Sequence, residues 1–201
     1  MRNTGPVSEI LRQTADLAAY LGGSAIIDTD TPAVRAAHAE IVAEATSIED
    51  AARLVFLFVR DRIRHSLDAS DRVAALTAGS VLVHGTGLCY AKSHLATALM
   101  RLSGIPTGLC YQRLRDDDRL VLHGLIAVHL NGAWHRLDVR GNKPGLHAEF
   151  SLDRERLAYA IDSALGEADL PDLLVDPAPT VVECLRSTAD ILRAHLPSTL
   201  A

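Results

Sequence analysis

Cys89 stands where the sequence pattern predicts the start of a helix. Glycines precede it at positions 85 and 87, and apolar residues then recur at three- and four-residue steps, the spacing of one helix face. Gly104 and Pro106 end the pattern, because glycine favours the turn after a helix and proline cannot continue it. The free N–H groups of a first helical turn stabilise a thiolate, the nucleophilic form of cysteine. The pattern favours a nucleophile, although a small buried structural cysteine fits the same spacing.

A predicted hairpin brings a histidine and an acid close to each other. Asn131-Gly132 is a strong two-residue turn signal, which fixes the pairing of the strands on either side. In that register His123 and Asp138 are diagonal neighbours on one face, with backbones roughly 7 to 8 Å apart. Each residue alone could have a purely structural role, with His123 capping a strand and Asp138 ending one. Together with Cys89, they predict a nucleophile, a general acid/base and the acid that orients it.

Several neighbouring residues are weaker candidates for the same site. The backbone N–H of Cys89 is the expected oxyanion donor, and the side chain of His84 or Tyr90 is a candidate second donor. Trp134 could form a wall of the site or serve as a structural aromatic of the hairpin. Lys92, one helical turn after the cysteine, could meet an acidic substrate, but an exposed helix lysine is the favoured interpretation. These residues call for no metal and no cofactor.

Periodicity and capping signals predict the elements that position these residues. Ser47 and Asp50 resemble a capping box before an apolar helix, which we expect to lie beneath the sheet. The run Ser80–Val83 fits a helix or a strand. Further helices are predicted over Val7–Leu21, Ala33–Ala45, Ile48–Arg64, Leu152–Ala164 and Val181–Leu196, the last capped by Thr180 and Glu183, and strands over Thr107–Leu114, Leu120–Leu130 and Ala133–Val139.

Composition and charge exclude several classes of protein. The chain length of 201 residues fits a single domain over residues 1–201. The residues are 48% hydrophobic and carry a net charge of -5. The acidic balance gives no electrostatic basis for binding nucleic acid or an anionic membrane, so we expect neither as a partner. We expect a cytoplasmic protein with reduced thiols, because we find no signal segment or membrane span and the three cysteines lack disulfide or zinc spacing.

Four separated motifs together resemble one family of cysteine enzymes. They are Gly87-Leu88-Cys89, the helix end at Gly104-Ile105-Pro106, His123 at the start of a strand, and the run 132–138 that closes the hairpin. This pattern is similar to the transglutaminase-like superfamily, over roughly residues 48–145. The resemblance implies an α+β fold with a papain-like core. In it, N-terminal helices and a central nucleophile-bearing helix pack on an antiparallel sheet, with helical extensions at both ends of the core.

The same resemblance implies roles for individual residues. By position, Cys89 is implied as the nucleophile, His123 as the general acid/base and Asp138 as the group that orients it. The runs 89–93 and 138–143 are similar to a compact bacterial branch of the superfamily.

These residues predict a cysteine-dependent acyl-transfer enzyme of the transglutaminase-like or cysteine peptidase-like type. The thiol would attack a peptide, amide or thioester donor, and the acyl-enzyme would pass to water or to an amine. One alternative is a biosynthetic enzyme that forms or cyclises an amide from a thioester on a carrier protein. An alternative of another class is a catalytically idle member of the superfamily that acts as a binding module.

Overall fold

The computed structural model describes residues 11–201, in which a four-stranded antiparallel sheet packs against a central helix. The helices are α1 (Pro32–Ile41), α2 (Ile48–Arg62), α3 (Ser66–Ala69), α4 (Ala78–His84), α5 (Cys89–Leu102) and α6 (Pro179–Ser187). The strands are β1 (Arg12–Gln13), β2 (Arg64–His65), β3 (Thr86–Gly87), β4 (Thr107–Asp116), β5 (Arg119–Leu130), β6 (Ala133–Leu137), β7 (Ala168–Asp169) and β8 (Asp172–Leu173). The fold is α+β, as predicted. Within these residues no helix has the length and apolar character needed to cross a bilayer.

The large sheet has the strand order β6-β5-β4-β7, and each neighbouring pair is antiparallel. Leu130 pairs with Ala133, and Ile126 with Leu137, which is the predicted register. Asn131 and Gly132 have φ values of 54° and 79°, and a two-residue type I′ turn requires positive φ at both positions. The predicted hairpin is therefore confirmed. The other strands form two short parallel pairs, β1 with β8 and β2 with β3.

Helix α5 is the centre of the fold, because every residue from Cys89 to Arg101 is buried. One side of α5 packs on β4 and β5, and the other side meets α1, α2 and α4. Fully buried members of this core include Phe56, Val59, Leu95, Leu99 and Ile126. Burial of each such side chain contributes about 1.5–3 kcal/mol. The apolar helix α2 packs mainly on α5 and α1, so our expectation that it lies beneath the sheet is wrong.

A second, smaller apolar cluster covers the other face of the sheet. Its buried members are Tyr20, Cys110, Leu125, Ala127, Trp134 and Leu173. Side chains alternate between the two faces of a strand, so His123 shares this second face with Leu125 and Ala127. The sheet is thus buried on both sides, and the histidine lies on the face away from the apolar side of α5.

The terminal helices differ from the sequence prediction. Of Val7–Leu21, residues 7–10 lie outside the described part of the chain, and the remainder forms β1 and a short 3-10 helix, Leu17–Leu21, because Arg12 pairs with β8. Helix α6 begins before Thr180, which therefore cannot cap it, and ends at Ser187 instead of Leu196. Beyond that point the N–H of Ile191 donates to the carbonyl of Arg72, so the backbone turns away.

The predicted helix Leu152–Ala164 is an irregular segment, apart from a 3-10 turn at Ser163–Leu165. Its backbone and side chains bind partners elsewhere in the fold. The N–H of Ala158 donates to Asp138, and the carboxylate of Glu155 accepts from Arg136. These tertiary contacts override local helix propensity. Among the other predictions, α1 ends at Ile41 rather than Ala45, and Ser80–Val83 is part of a helix, α4.

We expect Leu99→Ala to lower the free energy of unfolding by about 2–5 kcal/mol, because it leaves a cavity beside fully buried neighbours. Urea denaturation followed by circular dichroism measures this change. Val83→Ala is the control, since Val83 is 73% exposed on a helix and its truncation should cost less than about 0.5 kcal/mol. Equal losses in the two variants would contradict the central position of α5.

Candidate active site

Cys89 lies at the edge of the large sheet, just beyond the end of β6. In the two-residue hairpin, even-numbered residues of β5 direct their N–H groups toward β6. Strand β6 ends at Leu137, opposite Ile126, so the next such N–H group, that of Gly124, has no strand partner. It donates instead to Cys89 Sγ, with a nitrogen to sulfur distance of 3.4 Å. The first residue of α5 therefore occupies the place that a longer β6 would fill.

Gly124 permits this contact because it has no side chain. A Cβ built on Gly124 would lie 3.0 Å from Tyr90 Cδ1, 3.1 Å from its Cα and 3.2 Å from its backbone nitrogen. These distances are tighter than ordinary packing and two of them involve backbone atoms, which cannot rotate away. Sequence reasoning missed Gly124, although a glycine inside a strand is a known sign of close backbone approach.

His123 and Asp138 form a buried, directly bonded pair. His123 Nε2 and Asp138 Oδ2 are 2.9 Å apart, and the carboxyl group is fully buried. The same carboxyl accepts the N–H of Arg140 at 3.0 Å and the N–H of Ala158 at 3.1 Å. Three donors therefore fix the carboxylate, and the carboxylate fixes the imidazole ring.

The electrostatics of this pair favour its charged form. Burial alone would lower the pKa of His123, but the charge of Asp138 and the contact with Cys89 outweigh burial and raise it to about 10. Burial works to raise the pKa of Asp138, whereas the charge of His123 and the hydrogen bonds bring it below its usual value. His123 thus holds a proton at neutral pH. An imidazolium next to a sulfur atom stabilises the thiolate, the form that attacks carbonyl groups.

The irregular segment 152–164 covers this pair and adds Tyr159, which sequence reasoning missed. The Tyr159 ring meets the His123 ring edge-on, with centroids 4.9 Å apart. The nearly buried guanidinium of Arg136 on β6 holds the segment to the sheet through Glu155, and it also bonds Asp169 on β7. The sequence gives no signal for Tyr159, because its position depends on these distant contacts.

The weaker candidates lie in different places. The hydroxyl of Tyr90 donates to the carbonyl of Leu122 inside the core, so its side chain is already engaged. His84 is exposed at the end of α4. Trp134 belongs to the second apolar cluster, where its indole N–H donates to Gln13 Oε1 at 3.1 Å. The structure brings together Cys89, His123 and Asp138, and among the described residues neither His84 nor Trp134 forms a hydrogen bond with them.

Lys92 is fully buried, which corrects our interpretation of it as an exposed helix lysine. Its ammonium group donates to the backbone carbonyls of Arg60 and Ile63, near the end of α2. Burial and the neighbouring charge of Arg140 lower its pKa to about 7. The periodicity of the sequence does not reveal that these backbone carbonyls lie near Lys92.

Residues 11–201 contain no cluster of three or more His, Cys, Asp or Glu side chains that could hold a metal ion.

We expect Cys89 to react with iodoacetamide at least about tenfold faster than Cys110 or Cys184 at pH 6. Burial raises the pKa of Cys110 to about 12 and also raises that of Cys184, so neither thiol ionises readily. Mass spectrometry of peptides after timed labelling measures the three rates. In urea the rates should converge. A folded protein in which Cys89 is no faster than the other two would contradict the arrangement described here.

We expect Gly124→Ala to slow the labelling of Cys89 by about tenfold, because the added methyl group displaces the first turn of α5 from β5. Gly22→Ala is the matched control: a Cβ there meets its nearest atom at 3.8 Å. The same labelling assay compares both variants with the parent protein. Unchanged reactivity in Gly124→Ala would show that the close approach does not position the thiol.

A solved structure shares this fold. A candidate cysteine protease from Cytophaga hutchinsonii has a TM-score of 0.53 at 15% identity, over 63% of this chain and 42% of that protein. A TGase has a TM-score of 0.46 at 15% identity, over 75% of this chain and 43% of that one. The matched region covers less than half the length of either protein. No protein of curated function matches the sequence.

A sequence family gives a more direct comparison. The profile of the transglutaminase-like superfamily matches residues 35–139, just over half of the 201 residues. That span includes the cysteine helix, the histidine strand and the acid after the hairpin. The chain belongs to the transglutaminase-like superfamily.

Proposed function

We propose that the protein is a cysteine-dependent acyl-transfer enzyme, in which Cys89 is the nucleophile, His123 the general acid/base and Asp138 the orienting acid. The observation that carries this proposal is the buried His123–Asp138 pair, next to Gly124, whose N–H donates to the sulfur of a cysteine at a helix start. The donors that fit are peptides, other amides and thioesters, including a thioester on a carrier protein, since each offers an acyl carbon to a thiolate.

Acylation begins with the proton already on His123. The Cys89 thiolate attacks the carbonyl carbon of the donor, and a C–S bond forms while the carbonyl oxygen takes the negative charge. The backbone N–H of Cys89, free at the first position of α5, is the donor for that oxyanion. When the tetrahedral intermediate collapses, the bond to the leaving amine or thiol breaks and His123 gives its proton to that group. The product is a thioester on Cys89.

Deacylation reverses these roles. His123 takes a proton from water or from an acceptor amine, which attacks the thioester carbon and releases the Cys89 thiolate. Asp138 accepts a hydrogen bond from Nε2, so Nδ1 is the ring nitrogen that exchanges the proton. Asp138 also stabilises the imidazolium that each half-reaction requires.

An activated ester tests the proposal without knowledge of the natural donor. The parent protein should form an acetyl-enzyme on Cys89 with p-nitrophenyl acetate, and methylamine should compete with water for the acetyl group. We expect no adduct at this position in Cys89→Ala, a loss of about 100-fold or more in acylation rate in His123→Ala, and a smaller loss in Asp138→Asn. Mass spectrometry of the intact protein and its peptides measures acylation.

The relative acylation rates of the three variants test the assigned roles. Asp138→Asn keeps the shape of the side chain but loses the charge and holds the imidazole in the wrong tautomer. Acylation of Cys89→Ala at the parent rate would contradict the assigned roles. Slower acylation of Asp138→Asn than of His123→Ala would also contradict them.

A further inference from the structure

A cleft of about 320 Å³ opens beside the candidate active site. Its walls come from the end of α2, from β2 and α3, from α5 and from the loop after Asp138. Two lining residues connect it to the site. Lys92 follows Cys89 by three residues on α5, so the two side chains are neighbours on one helix face. Arg140 follows Asp138 by two residues, and its backbone N–H donates to the Asp138 carboxyl.

Four cations and two carboxylates are among the residues that line the cleft, and one of the cations lacks an acidic partner. Three of the cations form ion pairs: Arg60 with Asp61, Arg64 with Asp71, and Arg140 with Asp68. The fourth, Lys92, hydrogen bonds only to carbonyl oxygens among the described residues, and it forms no ion pair there. An ammonium group has three N–H donors, of which the carbonyls of Arg60 and Ile63 use two. One charge and one donor therefore remain for a ligand.

His65 provides a second unused polar atom in the same cleft. Its side chain is 7% exposed, and its Nδ1 has no hydrogen-bond partner. The nearest carboxylate oxygen, Asp68 Oδ2, is 3.7 Å from Nδ1, which is too far for a hydrogen bond. A buried polar atom without a partner carries an energetic cost, and a ligand that bonds it removes that cost.

The loop after Asp138 leaves space over the ammonium group. Gly141 has a φ of 109°, which favours glycine, and a Cβ there would lie 3.3 Å from Lys92 Nζ. Any side chain at this position would crowd the free N–H of Lys92. The run Asp138–Lys143, which resembles one branch of the superfamily, thus supplies both the orienting acid and a wall of the cleft.

We propose that this cleft binds a carboxylate group of the acyl donor, held by Lys92 and His65, so that the enzyme prefers acidic donors. This inference rests on the proposed function. A carboxylate suits the cleft better than a phosphate, because only one cationic charge is uncompensated and the carboxylates of Asp61 and Asp68 would repel a dianion. A buried cation that gains an anionic partner also recovers part of its desolvation cost.

The test compares an anionic with a neutral alkylating agent at Cys89. At pH 6 the ratio of iodoacetate to iodoacetamide labelling rates should fall by about fivefold or more in Lys92→Met, because one nearby positive charge is lost. Arg53→Gln, which removes an exposed charge on α2, should keep the parent ratio. An unchanged ratio in Lys92→Met would overturn the carboxylate site.

A second measurement uses the parent protein, in case Lys92→Met does not fold. Glutaramate, which carries one carboxylate, should slow the labelling of Cys89 by iodoacetamide at pH 6, and the neutral glutaramide at equal ionic strength should not. No protection by glutaramate, or equal protection by glutaramide, would overturn the inference. The two proposals fail differently. A Cys89 that iodoacetamide labels no faster than Cys110 contradicts the proposed function, whereas rapid labelling without these effects contradicts only the carboxylate site.

Discussion

The contact between the first turn of α5 and the backbone of β5 at Gly124 sets the positions of the other groups in the site. It exists because β6 stops two residues short of Gly124 and because Gly124 itself has no side chain. The helix therefore meets the strand at its hydrogen-bonding edge. A sulfur at this edge can reach a histidine on the far face of the sheet, although α5 packs its apolar side on the near face.

Around that contact the protein buries a large amount of charge. Asp138, Lys92 and Arg136 are nearly or completely buried, and each has several hydrogen-bond partners. Removing charges from water is costly, and such pairs rarely add net stability. The apolar core around α5 offsets this cost. The charged groups instead fix geometry: Arg136 holds the segment 152–164 to the sheet, and that segment contributes both the Ala158 N–H and the Tyr159 ring.

The parts of the site that the sequence predicted depend on local signals. The start of α5 follows from apolar spacing that ends at Gly104, and the hairpin register follows from the turn at Asn131-Gly132. The parts that it did not predict depend on distant contacts. Lys92 is buried because carbonyls some thirty residues earlier accept its hydrogen bonds, and Leu152–Ala164 is irregular because the sheet binds its polar groups. Helical periodicity in the sequence does not detect either of these distant contacts.

The contacts of the site differ in how far apart their residues lie along the chain. His123 and Asp138 are 15 residues apart and belong to one hairpin, an element that forms within microseconds. Cys89 joins them through a contact across 35 residues, which must await closure of a longer loop and the docking of α5. The acid–base pair can therefore assemble first, and the thiol meets it only when the core closes. Because the thiol and the acid–base pair come from different elements, the site is complete only when α5 is docked on the sheet.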